Sequence, residues 1–246
     1  MLKTIKSAIK SIALAGTIMF GAISAPELHN HYLRYEVGES VVQVLHPEKF
    51  GGGTGFVVEG KSGKKYIMTN RHVCEAAVDD TVRLKGKDFT RFAKVLYRDD
   101  VHDLCLISAR GLEDLDAISI GSDLNTGDYL YVVGHPGLRK LTTSVGEYIG
   151  HEPVELLFDV EKREQCPGRV IELNPFQQLF MGVEFVCLRS YDSLATSAVI
   201  YGGNSGSPVV NKWGNLIGVA FAGSTEQERD NYIVPLSYIK RVLNKF

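Results

Sequence analysis

Short apolar runs separated by turns dominate the chain from Glu39 onward. In the first half they lie at 40–45, 51–58, 66–69, 81–84, 92–97 and 104–107. In the second half they lie at 129–133, 141–145, 208–210, 215–222 and 232–234. Apolar runs of this length, bounded by glycine, asparagine and aspartate, are typical of β-strands joined by tight turns. The pattern therefore predicts an all-β domain.

Three stretches depart from this strand pattern. A loop at 121–128 holds two glycines and few apolar residues, and we place there the boundary between the two halves of the domain. Residues 150–190 are interpreted as an insertion in which only 156–158 and 185–188 are strand candidates. At 237–246 apolar and basic residues follow a helical spacing, so a short amphipathic helix capped by Ser237 is expected at the end.

The first 25 residues differ in kind from the rest. Lys3, Lys6 and Lys10 precede an uncharged, largely apolar run, 11–25, that ends in small residues. This order is typical of a secretory signal peptide. The run is about 15 residues long, shorter than the roughly 20 that span a bilayer, although a retained membrane anchor remains an alternative. Either interpretation predicts that the rest of the chain is periplasmic or secreted, with 26–37 as a linker.

Composition and charge exclude several classes of protein. The chain has 246 residues, of which 44% are hydrophobic and 23% charged, and its formal net charge is −2. These values are typical of a globular domain with a sizeable core rather than a disordered chain. No long basic run indicates nucleic-acid binding. We expect no cofactor, and protein or peptide partners rather than nucleic acid.

The four cysteines are Cys74, Cys105, Cys166 and Cys187. They form no C-x-x-C pair and have no histidine at zinc spacing, so we expect no metal site. An oxidising compartment permits disulfides. We favour a Cys166–Cys187 bond, because both residues lie in the same insertion. Cys74 and Cys105 could face each other, or they could be two buried thiols.

Ser205 lies in a turn of small residues, 203–208, with the sequence Gly-Asn-Ser-Gly-Ser-Pro. Such a turn can hold a hydroxyl clear of its neighbours while backbone N–H groups converge on an adjacent oxygen. A nucleophilic serine also needs a base and a group that orients the base. Taken alone, the turn could equally be a glycine-rich hairpin connection.

A histidine and a carboxylate stand upstream in suitable settings. His72 follows the apolar run 66–69 and so would be held at the end of a buried strand. Asp103 immediately precedes the run 104–107, which can carry it into the interior to orient an imidazole. The neighbouring Asp99 is expected to face solvent. The order His, Asp, Ser differs from the Ser, Asp, His order of α/β-hydrolases.

The segments around these residues resemble the trypsin-like serine proteases, and most of all their Deg (high-temperature-requirement) branch. The resemblance covers about 38–246 and rests on four segments, which are 69–73, 103–107, 127–136 and 196–208. It implies two six-stranded antiparallel β-barrels, the first at about 38–121 and the second at about 128–235. The active site would lie between them, and a short C-terminal helix would close the domain.

The resemblance also implies a mechanism, which is peptide hydrolysis through an acyl-enzyme on Ser205. His72 would accept the Ser205 proton and return it to the leaving amine, while Asp103 orients the imidazole and stabilises its cation. The backbone N–H groups of Gly203 and Ser205 would form the oxyanion hole, and the loss of one such donor typically costs about 3 kcal/mol of transition-state stabilisation.

Specificity is inferred from the same resemblance. Val199, six residues before Ser205, occupies the position at which trypsins place the acid that selects Arg or Lys. This implies a preference for small apolar residues at P1. The remaining substrate-binding residues would be Ala220, Phe221, Ala222 and Gly223, which are expected to line the mouth of the pocket and to offer a strand edge to an extended substrate.

Three departures from the family pattern qualify the resemblance. Asn204 replaces the acid with which trypsins pair their processed N-terminus, so activation by N-terminal cleavage is not expected. The segment between Ser144 and Thr196 is long. No PDZ domain follows the C-terminal helix, which leaves regulated or cage-forming assembly and the oligomeric state open.

Two other functions remain compatible with the sequence. One is a non-catalytic peptide-binding protein on a protease fold, since a fold alone does not establish turnover. The other is an esterase or acyl transferase that uses the same three residues. A comparison of matched ester and peptide substrates would separate the second from an endopeptidase.

Overall fold

The computed structural model describes residues 25–160, 163–166, 168–223 and 231–246. For 25, 156–160, 165, 180–181 and 222–223 it describes the backbone alone. The predicted signal segment, up to residue 24, lies outside the described residues. None of the described helices has the length and apolar content to cross a membrane.

The first half of the chain forms a closed barrel of six antiparallel strands in the order β1-β2-β3-β6-β5-β4. These strands are β1 (Val41–Leu45), β2 (Gly52–Glu59), β3 (Lys65–Thr69), β4 (Thr81–Lys85), β5 (Thr90–Asp99) and β6 (Leu104–Ser108). All five residues of β1 are buried, whereas β5 alternates exposed and partly buried positions. This contrast is the expected signature of one strand covered on both faces and one with a solvent face.

The second half forms a sheet in the order β13-β12-β11-β7-β8-β10-β9. Its strands are β7 (Tyr129–Gly134), β8 (Thr142–Val160), β9 (Arg169–Glu172), β10 (Phe185–Thr196), β11 (Pro208–Val210), β12 (Leu216–Gly223) and β13 (Asn231–Pro235). The pairing of β10 with β13 closes six of these strands into a ring. The predicted all-β fold of two six-stranded barrels is confirmed, with β9 added outside the ring.

The long insertion is an extension of the second barrel. β8 and β10 pair continuously from Phe185 opposite Val160 to Ala195 opposite Gly150, and β9 pairs with the first residues of β10. The predicted strands at 156–158 and 185–188 lie within β8 and β10. The Cys166–Cys187 disulfide joins the segment before β9 to β10, so the pairing favoured from the sequence is confirmed.

Strand alternation divides the core into the interior of the first barrel, the interior of the second barrel and a cluster between them. Val57 and Ile67 point into the first barrel, while their neighbours Phe56 and Met68 point out of it. The outward side chains join Val133 and other buried residues of the second barrel in a cluster between the two barrels. Because Phe56 and Met68 are fully buried there, the burial of each contributes about 1.5 to 3 kcal/mol to the stability of the fold.

The helices differ from the expectations at both ends. The expected linker at 26–37 is helical in α1 (Ala25–Gly38), which lies against β7 and β8. Leu33 and Val37 are buried on its inner face, four residues apart. A second helix, α2 (Pro175–Met181), lies in the insertion. The C-terminal helix, α3 (Leu236–Leu243), begins before Ser237 with Pro235 at its N-cap, so the predicted serine cap is wrong.

Candidate active site

His72 and Asp103 meet at one end of the first barrel. β3 and β6 pair with Thr69 opposite Cys105, so the short segment after β3, which holds His72, lies close to Asp103 just before β6. His72 Nδ1 is 2.8 Å from Asp103 Oδ2, and the backbone N–H of His72 donates to Asp103 Oδ1 at 3.0 Å. Because carboxylate oxygens accept, Nδ1 carries the hydrogen and Nε2 is left as the proton acceptor.

Asp103 is buried and conformationally strained. Its side chain is 3% exposed, against 29% for His72, so the pair presents the imidazole to the solvent side. Its backbone φ of 53° lies in the left-handed region, which aspartate tolerates better than most residues. The Asp103 carbonyl accepts hydrogen bonds from Arg71 N at 3.1 Å and Asn70 Nδ2 at 3.0 Å. These two bonds from the His72 segment hold the strained residue in place.

A disulfide joins the same two segments. Cys74 and Cys105, each two residues beyond His72 and Asp103 respectively, are bonded to each other. Of the two alternatives left open by the sequence, the structure therefore has the disulfide. Both residues are fully buried in the core of the first barrel. The His72 and Asp103 segments are consequently linked covalently as well as by hydrogen bonds.

Ser205 comes from the second barrel and contacts the first. It precedes β11 in a turn where Gly203 and Gly206 have φ values of 90° and 83°. The Ser205 carbonyl accepts a hydrogen bond from Thr54 N, in β2, at 2.8 Å. A Cβ at Gly206 would lie 2.1 Å from the Thr54 carbonyl oxygen, so only glycine permits this approach. The serine is therefore pinned between the barrels.

The Ser205 hydroxyl is not joined to the imidazole. Its Oγ lies 3.5 Å from the Phe221 carbonyl oxygen, a long contact, and among the described residues no hydrogen bond links Oγ to His72. The structure thus brings His72 and Asp103 into direct contact and leaves Ser205 oriented toward β12. Rotation about the serine χ1 torsion moves the hydroxyl from one staggered position to another.

The backbone N–H groups of Gly203 and Ser205 donate to no other group in the described part of the chain. The neighbouring amides do have partners, since Asn204 N donates to Tyr201 O and Gly206 N to Ala220 O. Two amides of one turn that have no internal acceptor can donate to an external oxygen. This arrangement supports the predicted oxyanion hole.

Thr54 holds the turn that carries these amides, a role that is not predicted from the sequence. Its Oγ1 donates to the Gly203 carbonyl at 2.7 Å and accepts from His135 N at 3.1 Å. The only sequence signal was its position inside the glycine-rich run 51–55, which indicated a close backbone approach without indicating the partner. Thr54 thereby connects β2, the Ser205 turn and the segment after β7.

The segment after β7, Pro136–Leu138, supports the same turn from the other side. Gly137 N donates to the Gly202 carbonyl at 2.6 Å. His135 Nδ1 donates to the Arg139 carbonyl at 2.8 Å. Burial lowers the pKa of His135, the hydrogen bond to Arg139 opposes that shift, and the nearby Lys85 charge adds to the lowering. His135 therefore remains neutral over a wider pH range than an exposed histidine.

The predicted specificity residues lie on the segment before the Ser205 turn and on β12. On the first of these, Val199 is partly buried between the buried Ala198 and Ile200. Ala220 is fully buried in the core of the second barrel, and its N–H donates to Ser207 O. Phe221 is 4% exposed, and its ring centroid lies 5.6 Å from that of Tyr191. Ala222 and Gly223 pair with β13, and for both residues the structure describes the backbone alone.

β10 reaches across to the loop that carries Asp103. Arg189 is 7% exposed, and its Nη1 lies 3.4 Å from the Asp100 carbonyl oxygen. Burial raises the pKa of Tyr191, which interacts with the charges of Asp103 and Arg189. These contacts could not be read from the sequence, because the strand candidate at 185–188 ends before Arg189 and indicates no partner outside the insertion.

The prediction that Asp99 faces solvent is wrong. The residue is 7% exposed, and its Oδ2 lies 3.0 Å from His102 Nδ1. The Val101 and His102 amides donate to its other carboxylate oxygen. This second aspartate–histidine pair lies beside the α3 helix, where the His102 ring centroid is 4.0 Å from that of Tyr238.

No group of three or more metal-binding side chains occurs in the described ranges.

The model of the family described as trypsin-like peptidase domain matches residues 53–219.

Curated relatives of known sequence match much of the chain. Serine protease Do-like HtrB of Bacillus subtilis (strain 168) is 29% identical over 197 residues, covering 74% of this chain and 38% of that protein. Periplasmic pH-dependent serine endoprotease DegQ of Escherichia coli (strain K12) is 26% identical over 223 residues, covering 89% and 40%. The chain therefore spans about two fifths of the length of these relatives.

Solved structures share the fold. The Rv3671c protease from M. tuberculosis in its active form has a TM-score of 0.66 at 21% identity, over 91% of this chain and 88% of that one. Deg5 has a TM-score of 0.62 at 22% identity, over 90% and 95%.

Proposed function

The chain belongs to the trypsin-like peptidase family, and from that premise we propose that it is a serine endopeptidase with His72, Asp103 and Ser205 as its catalytic triad. The observation that carries the proposal is the 2.8 Å contact between His72 Nδ1 and the buried Asp103 carboxylate, which leaves Nε2 as an acceptor. The similarity to HtrB and DegQ, both serine proteases, supports the same activity.

In the proposed reaction the Ser205 hydroxyl leaves its contact with the Phe221 carbonyl and turns to His72. Oγ attacks the scissile carbonyl carbon while Nε2 takes its proton, and the amides of Gly203 and Ser205 receive the oxyanion. The imidazolium then gives the proton to the departing amine, and the acyl-enzyme remains. Water repeats the sequence, with His72 again as base, and releases the carboxylic acid and free Ser205. Asp103 stabilises the imidazolium in both halves.

The test is labelling of residues 26–246 with a fluorophosphonate probe, which reacts with activated serines. We expect labelling of the natural chain and its loss in Ser205→Ala and His72→Ala. Ser207→Ala is the matched control, because Ser207 lies in the same turn but its hydroxyl is fully buried. A folded natural chain that stays unlabelled would contradict the proposal and favour a non-catalytic binding protein. Faster turnover of an ester than of the matched peptide by more than the usual chemical difference would favour an esterase.

We further propose a preference for small apolar residues at P1, because a valine rather than an acid stands at position 199. A cation in this pocket would lack a counter-charge and would lose its hydration. Cleavage sites in a peptide library, read by mass spectrometry, should have Ala, Val or similar residues at P1. Frequent cleavage after Arg or Lys would overturn this preference.

We also propose that the protein acts outside the cytoplasm. The relatives that are named as periplasmic, such as DegQ, support this location, as do the lysine-led apolar N-terminus and the two disulfides. An alkaline phosphatase fused after residue 38 should be active if the segment is exported. An inactive, stably expressed fusion would argue for a cytoplasmic protein.

A further inference from the structure

A cavity of about 560 Å³ lies on the far side of the segment that supports the Ser205 turn. Its walls come from the end of α1, from β1, from the hairpin between β4 and β5, and from the residues after β7. Both barrels and the N-terminal helix therefore contribute to it. A volume of this size accommodates several side chains of a peptide or a small organic ligand.

The cavity is strongly basic. A single carboxylate, that of Glu39, faces five cationic side chains, and these are Arg34, Lys85, Lys87, Arg139 and Lys140. Within the described ranges, no salt bridge joins any of the five to a carboxylate. Since the whole chain has a formal net charge of −2, this concentration of positive charge is local. Unpaired cations in a concave site focus a positive potential that attracts anions.

The cations are distributed in a way that suits an extended ligand. They belong to three separate elements, and apolar side chains line the same cavity, namely Tyr35, Val41, Leu138 and Leu141. A single phosphate would be met by converging donors rather than by charges spread along a groove. A peptide that combines acidic and apolar side chains matches both the charges and the apolar floor.

The cavity is coupled to the candidate active site through shared residues. His135, Leu138 and Arg139 line the cavity, and between them Gly137 N donates to the Gly202 carbonyl. A Cβ placed on Gly203 would lie 2.6 Å from the His135 carbonyl oxygen, so the wall of the cavity touches the predicted oxyanion turn. A polypeptide bound at Ser205 is thus close enough for another part of it to enter the cavity.

We propose that this basic cavity is an exosite that binds an acidic segment of a protein substrate, a role that rests on the proposed endopeptidase function. Lys85, Lys87 and Arg139 supply the charge that recognises the carboxylates, and Tyr35 and Leu141 pack against the intervening apolar side chains. The site adds affinity for substrates that carry such a segment without taking part in the bond cleavage itself.

The experiment measures binding to Ser205→Ala protein, so that no turnover is required. The probe is a fluorescein-labelled peptide in which Glu and Leu alternate, and the matched probe has Gln at each Glu position. Fluorescence anisotropy gives the affinities. The test variant is Lys85→Glu/Lys87→Glu, at two exposed positions of the β4–β5 hairpin. The control variant is Lys61→Glu/Lys240→Glu, which makes the same change in net charge at two exposed positions, one in the C-terminal helix and one beside it.

We expect the Glu peptide to bind at least about tenfold more tightly than the Gln peptide, and the test variant to lose about tenfold or more of that affinity. The control variant should keep it. Binding should weaken with added salt, because the screening length falls from about 10 Å at 0.1 M to about 3 Å at 1 M. Melting temperatures of both variants near that of the parent would show that the loss is local.

Equal affinity for the two peptides, or unchanged binding by Lys85→Glu/Lys87→Glu, would overturn the proposal. Displacement of the peptide by inorganic phosphate, at an ionic strength where sodium chloride does not displace it, would assign the cavity to a free phosphate group instead. If the peptide binds but the fluorophosphonate does not label Ser205, the endopeptidase function alone fails. If labelling succeeds and binding does not, the exosite alone fails.

Discussion

At the scale of single residues, the glycine at 203 is the sharpest constraint in the candidate site. Its φ of 90° is in the region that side chains disfavour, and a Cβ there would be 2.6 Å from the His135 carbonyl oxygen and 2.8 Å from Leu138 N. The adjacent Gly202 has open space, with nothing within 4 Å of an added Cβ. The two neighbours in the turn therefore tolerate a methyl group very differently.

We expect Gly203→Ala to lower kcat by about 10²- to 10³-fold, comparable to the loss of one oxyanion donor, because the turn must shift to make room for the methyl group. Gly202→Ala should retain activity within a few-fold. The measurement is kcat and KM on a peptide substrate, with the melting temperature of each variant. Full activity of folded Gly203→Ala would mean that this amide does not serve as an oxyanion donor.

Local motifs made the residues of the candidate triad predictable. His72, Asp103 and Ser205 each stand in a short segment whose neighbours carry the signal. Thr54 and Arg189 were missed because their importance depends on partners far along the chain, at Gly203 and Asp100. Asp99 was misread because charge alone does not distinguish which of two adjacent aspartates, at 99 and 100, turns inward.

At the scale of elements, α1 is the part whose stability contribution is easiest to test. Leu33 is fully buried against the cluster between the barrels, whereas His31 on the same helix is exposed. The helix was mistaken for a linker because its few buried apolar residues stand among polar and charged ones, which gives a weak periodic signal.

Leu33→Ala should lower the free energy of unfolding by about 2 to 5 kcal/mol, since it removes buried atoms and leaves a cavity. His31→Ala, which removes an exposed side chain from the same helix, should change it by less than about 0.5 kcal/mol. Urea unfolding followed by circular dichroism measures both. Equal small effects would show that α1 is not docked on the barrels in solution.

The strands themselves were largely predictable, but their lengths in the insertion were not. Apolar runs and turns located the strands of the first barrel to within a few residues. β8 continues to Val160 through Glu147, His151 and Glu152, whose polar side chains interrupt the apolar pattern. Pairing with β10 rather than burial keeps this part of β8 extended, and the sequence of neither strand alone indicates that pairing.

At the scale of the whole molecule, Asp99 begins a series of contacts that joins the barrels to the C-terminal helix. Asp99 binds His102, the His102 ring stacks on Tyr238 of α3, and the Tyr238 hydroxyl donates to Asp192 of β10 at 2.9 Å. Burial raises the pKa of Asp99, but the hydrogen bonds and charge of His102 and the Val101 amide outweigh it, so that the pKa lies below its ordinary value.

This lowered pKa predicts an acid-dependent stability. Because the folded protein holds the Asp99 carboxylate in its charged form, the contribution is fully present above the ordinary pKa of about 4 and is lost as the pH falls through the folded value. Asp99→Asn should therefore be less stable than the parent at neutral pH, and the difference should narrow below about pH 4.

Urea unfolding at neutral pH and at about pH 3 tests this expectation, with Asp88→Asn in an exposed turn as the control. The control should track the parent at both pH values. A difference between Asp99→Asn and the parent that stays constant with pH would show that the residue acts through packing rather than through its charge.

The hydrogen bond from Thr54 N to the Ser205 carbonyl has a consequence for how the protein can be used. In the proposed mechanism the first half supplies the base with its orienting acid and the second half supplies the nucleophile, so neither half alone is expected to cleave a peptide bond. Activity is then expected only when the two halves are associated. Labelling of Ser205 by the probe would therefore also report assembly. If the chain is divided in the loop at 121–128, each fragment alone should stay unlabelled, and labelling should return when the two fragments associate.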